Sequence, residues 1–132
     1  MMTLRILSAA VILLAFVGAA RSGDDADIGY ASPDAALEAL RKNPAAQFSV
    51  TDGWTTVSLS DGGSIVTWSF TPKSHPASPA AVKRTMSQKD GAWYLEMKIL
   101  CGGTKAACDK LNADFTQLNE RMKKYIAAHH GP

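Results

Sequence analysis

At 132 residues with a formal net charge of +2, the chain is long enough for one modest core and too short for two domains. Its 14 basic residues face 12 acidic ones, with no concentrated basic stretch, which excludes nucleic acid as a partner. The two cysteines, Cys101 and Cys108, are too few for a disulfide-built scaffold.

The chain opens on Met1-Met2-Thr3-Leu4-Arg5, followed by an unbroken run of apolar and small residues from Ile6 to Ala20. One basic residue, a short apolar stretch and the small-residue exit Val17-Gly18-Ala19-Ala20 predict a signal peptide over residues 1–20, cut near Ala20. The run is about 15 residues, short of the roughly 18–20 that span a bilayer as a helix. No cysteine lies near the cut, so no lipid anchor is expected. The mature protein is expected in the periplasm or secreted, without a membrane contact. Residues 21–31, with Asp24, Asp25 and Asp27, read as a flexible lead-in.

A single α+β domain is expected over 32–128, with 129–132 as a tail. Ser32 as N-cap, Pro33 in the first turn and Asp34 beside the helix dipole start a short helix. Leu37 and Leu40 give it a buried stripe, and Asn43-Pro44 stops it. Strands follow at 47–51, 54–60, 64–71, 80–89 and 92–100. Asp52-Gly53 and Asp90-Gly91 supply the positive φ angles of tight hairpin turns, and Asp61-Gly62-Gly63 turns the chain between them.

Strand alternation predicts which side chains share a face. Phe48, Val50, Val57, Val66, Trp68 and Phe70 form one apolar set, with Phe48 opposite Val57 and Val57 opposite Val66. Val82, Met86, Trp93, Leu95, Met97 and Ile99 form another, with Met86 opposite Leu95 and Val82 opposite Ile99. Both sets are expected on one face, leaving Thr56, Ser58, Thr67, Ser69, Lys83, Thr85, Ser87, Glu96 and Lys98 in water. The final segment, 105–128, repeats Leu111, Phe115, Leu118, Met122 and Tyr125 at helical spacing. It is expected to lie across the apolar face, giving a two-layer, mostly antiparallel meander with the long helix packed on one side. In an exported chain the isolated cysteines pair, so Cys101–Cys108 is read as a structural disulfide.

Catalytic chemistry finds no foothold. The paired cysteines are no nucleophiles, the histidines are only His75, His129 and His130, and Asp52, Asp61 and Asp90 are explained by turns. No catalytic residue, metal site or cofactor is assigned, and an enzyme is not expected. Binding is easier to place. The connection from Thr71 to Pro79 carries three prolines and His75, and is longer than a hairpin requires. Trp54 and Tyr94 interrupt otherwise polar strand faces, and such aromatics often anchor contacts. Trp54, His75 and Tyr94 are therefore the candidate binding residues. Each also has a plain alternative: cover by the proline-rich loop or the short N-terminal helix for the aromatics, a stiff crossover for the prolines. Arg84 falls between Val82 and Met86 on an apolar face and is expected to reach out past a helix edge.

The stretch Trp68-Ser69-Phe70-Thr71-Pro72-Lys73-Ser74-His75-Pro76, continuing to Val82-Lys83-Arg84, with Cys101, Ala107-Cys108-Asp109 and Leu118-Asn119-Glu120-Arg121-Met122, resembles small exported proteobacterial proteins of uncharacterised function. That resemblance implies a Gram-negative periplasm and carries no activity or site residue with it. The expected function is a non-enzymatic binding module for a protein or peptide partner. The alternative is a periplasmic protein that takes a small ligand or metal, using His75.

Overall fold

The computed structural model describes residues 28–129. The signal peptide and the cut near Ala20 lie outside the described residues, as do the first part of the lead-in and the last three residues of the tail. The packed structure begins earlier than expected. Ile28 is buried in the core and Tyr30 meets the Trp68 ring edge-on at 5.9 Å, so 28–31 is not a free lead-in.

Helix α1, Pro33–Arg41, starts as its sequence requires: Ser32 accepts the Ala35 amide at 3.0 Å and Pro33 occupies the first turn. The strands are β1 (Gln47–Thr51), β2 (Trp54–Asp61), β3 (Ser64–Phe70), β4 (Ala80–Lys89) and β5 (Ala92–Cys101), followed by helix α2 (Lys105–His129). They form one antiparallel sheet in the order β1-β2-β3-β4-β5. The expected α+β meander is the observed fold. Asp52 and Gly53 adopt φ of 51° and 80°, and Asp90 and Gly91 adopt 54° and 79°. These are the mirror-image turns that match strand twist.

The hairpin registers agree with the alternation, with one shift. Phe48 pairs with Val57, Met86 with Leu95 and Val82 with Ile99. Val57, however, pairs with Trp68 rather than Val66, because β2 continues to Asp61 and only Gly62-Gly63 turns the chain. A slip of two residues keeps every side chain on its face.

The larger correction is across β3 and β4. Trp68 pairs with Lys83, and Phe70 with Ala81. That parity puts Lys83, Thr85, Glu96 and Lys98 on the face of Trp68, and Val82, Arg84, Met97 and Ile99 on the face of Ser69 and Thr56. The two apolar sets therefore lie on opposite faces. On the first face, α1 brings Ala36, Leu37 and Leu40 onto Val57, Val66, Trp68, Phe70 and Ala81. On the second, α2 brings Leu111, Phe115 and Ala107 onto Trp54, Val82, Met97 and Ile99. The expected arrangement, one wet face and one face under α2, is replaced by a helix on each side of the sheet.

The stripe of α2 is rotated from the expected one. Leu111 and Asn119 are its buried residues, with Phe115, Leu118, Met122 and Ile126 half-buried, while Tyr125 is 61% exposed and stacks on His129. Exposed pairs such as Lys105–Asp109, at 2.7 Å, decorate the outer face. The Asp109 hydrogen bond raises the Lys105 pKa.

Candidate functional site

The connection between β3 and β4 is a packed corner. Thr71 clamps both ends: its hydroxyl accepts the Ala80 amide at 3.0 Å while its own amide donates to the Ala80 carbonyl. The His75 amide donates to the Pro72 carbonyl at 3.0 Å, and the Ser78 amide donates to the His75 carbonyl at 2.9 Å. Ser78–Pro79 is cis. Ala77, at the apex, is fully buried, and Gly103 passes so close that a Cβ there would stand 2.6 Å from the Ala77 Cα. Only glycine fits that approach.

His75 is a brace of this corner. Its Nδ1 accepts the Ala77 amide at 3.0 Å, and its ring meets Trp54 edge-on with centroids 5.2 Å apart. Trp54 is held from the other side by Phe115 of α2 at 5.9 Å. The structure thus brings Trp54 and His75 together and covers Trp54 with the proline-rich loop and α2. Tyr94 is not part of that cluster. It lies on the opposite sheet face, 55% exposed, beside the Glu96–Lys98 pair. Trp54 and Tyr94 therefore cannot form one contact surface.

Cys101 and Cys108 are bonded, joining the end of β5 to the first turn of α2. Arg84 is half-buried beneath α2 rather than reaching past its edge. Its guanidinium lies over Phe115, and burial lowers its pKa.

Among the strands, β1 is the one with no covered residue. All five of its residues are exposed, including Phe48 at 42% and Val50 at 70%. Both were expected beneath α2. That helix instead packs on β5 on the other face, and α1 packs toward β4, which leaves both side chains exposed. β1 pairs only with β2. Thr51 and Trp54 flank a two-residue turn and form a hydrogen-bonded pair, so the alternation leaves the Phe48 and Val50 amides and carbonyls pointing outward. At the start of β1, β2 runs on through Leu59, Ser60 and Asp61 without a β1 partner. An open cleft of about 180 Å³ lies there, lined by Ala45, Gln47, Ser58, Leu59 and Ser60.

Comparison with protein-family models, with characterised proteins and with solved structures gives no match.

Proposed function

We propose that this chain is an exported, non-enzymatic binding module whose β1 edge takes up an extended segment of a protein or peptide partner. The observation that carries the reading is the edge itself. Gln47-Phe48-Ser49-Val50-Thr51 has no charge and no proline, and all of it is exposed. Sheet edges are ordinarily blunted by lysine, proline, bulges or a covering element, because unpaired backbone groups template another strand. The far edge, β5, carries the bridged pair Glu96 and Lys98. β1 has none of these devices.

A strand laid along β1 gains the outward amides and carbonyls of Phe48 and Val50, the mode known as strand addition. Its inward side chains would extend the first-face core past Val57, which Phe48 already abuts. The cleft beside Gln47 continues the open edge past the start of β1. The disulfide supports an oxidising destination. Among the described residues no helix is long and apolar enough to cross a membrane.

Val50→Lys puts a charge on the edge at a position that is 70% exposed, so stability should change by no more than about 0.5 kcal/mol. The oxidised protein from Arg21 onward, immobilised and exposed to periplasmic extract, should retain a specific partner that Val50→Lys loses. Retention by both Val50→Lys and Phe48→Lys, with loss in Tyr94→Ala, would move the contact to β5. An empty capture by well-folded bait would count against a protein partner.

A further inference from the structure

We infer that Met122, with Met97 beside it, is a methionine-oxidation site in which Arg84 and Asn119 hold the sulfoxide oxygens. Arg84 on β4 pairs across the sheet with Met97 on β5, and both lie under α2. The Arg84 Nη1 approaches the Met122 Sδ at 3.2 Å, and its Nε is buried with no acceptor. Among the described residues, no carboxylate forms an ion pair with Arg84. One helical turn from Phe115, Asn119 is 6% exposed; its Nδ2 approaches the Met97 Sδ at 3.2 Å and its Oδ1 has no partner.

Two strong donors thus face two of the weakest acceptors in the side-chain repertoire, since a thioether sulfur accepts poorly. A buried guanidinium is ordinarily matched with a carboxylate or other strong acceptor. A sulfoxide oxygen is one. Oxidation of methionine usually disrupts a core because the new polar atom finds no donor. Here a donor already stands at each sulfur, and at Met122 the resulting hydrogen bond is charge-assisted, hence short and strong. The unbranched methionine chain can draw back to admit the oxygen. Both methionines are half-buried. Met86, half-buried on the same face, has no such donor among the described residues.

The oxidant is a peroxide. One peroxide oxygen bonds to the thioether lone pair as the O–O bond breaks. Its proton passes to the departing hydroxide, which leaves as water. Sulfur loses two electrons and the peroxide gains them. The consequence lies in how α2 is held. This helix of 25 residues buries only Leu111 and Asn119 fully, so a strong bond from Arg84 to Met122 fastens its second half to the sheet.

The test is to treat the folded, disulfide-bonded protein with hydrogen peroxide, map the added oxygen by mass spectrometry, and compare melting temperatures. Met122 should take up one oxygen, and in a Met86→Leu background the peroxide-treated protein should melt no lower than the untreated one. In Arg84→Leu on the same background, oxidation should lower the melting temperature. Should that variant fail to fold, Met122→Gln and Met122→Leu decide the matter. Gln offers an amide oxygen where the sulfoxide oxygen would stand, and should melt above Leu. Sparing of Met122, a clear fall in melting temperature on oxidising the Met86→Leu protein, or Gln melting below Leu would each overturn the site.

Discussion

Trp54 and Tyr94 look alike in the strand pattern, each an aromatic residue among hydroxyls or charges. Their surroundings separate them. Trp54 is wedged between His75 and Phe115, whereas Tyr94 is 55% exposed. Truncating Trp54 to alanine removes an aromatic from a packed corner and should cost about 2–4 kcal/mol in urea unfolding. Tyr94→Ala should stay within about 0.5 kcal/mol. A stable Trp54→Ala would show that the corner does not depend on that ring. Asn119 shows the limit of pattern reading at this scale. It is the second fully buried residue of α2, yet an asparagine inside an amphipathic stripe gives no signal of burial. Only the methionine sulfur facing it, on a strand 22 residues earlier, explains its place.

Among the elements, the short hairpins were the most legible. A two-residue Asp-Gly turn admits one register, so pairings such as Phe48 with Val57 and Met86 with Leu95 follow from local sequence. The start of α1 was legible for the same reason, since Ser32 and Pro33 act locally. The disulfide belongs to this scale as well, because it splices β5 to α2 across a separation of seven residues. Closing so short a loop should stabilise by about 2–3 kcal/mol in the chain-entropy model. Replacing both cysteines by alanine should lower the unfolding free energy by that amount. No change in the denaturation midpoint would mean that the corner formed by Ala77 and Gly103 already holds the junction.

At the scale of the whole fold, two apolar clusters form among the described residues, one on each side of the sheet. They are joined through the sheet itself: Ala81 belongs to one and its neighbour Val82 to the other. Small domains coupled in this way unfold as one unit. Variants retaining Trp68 or Trp54 as the only tryptophan, with phenylalanine at the other positions, report on the two clusters separately. In each variant the fluorescence midpoint should coincide with that of far-ultraviolet circular dichroism. An earlier fluorescence transition in the Trp54 variant would mean that α2 detaches before the sheet melts.

The sequence alone determined the order of elements, the tight turns, the cysteine pair and the α+β class, because each depends on neighbours a few residues apart. The tertiary structure alone decided which face each half of the sheet turns to its helix. That choice rests on the parity of the β3–β4 pairing, and the nine-residue connection at Thr71–Pro79 does not constrain parity as a two-residue turn does. From it follow the separation of Trp54 from Tyr94, the burial of Arg84 beneath α2, and the exposure of β1. A local pattern specifies alternation, but only packing at long range decides which side of the alternation is inside.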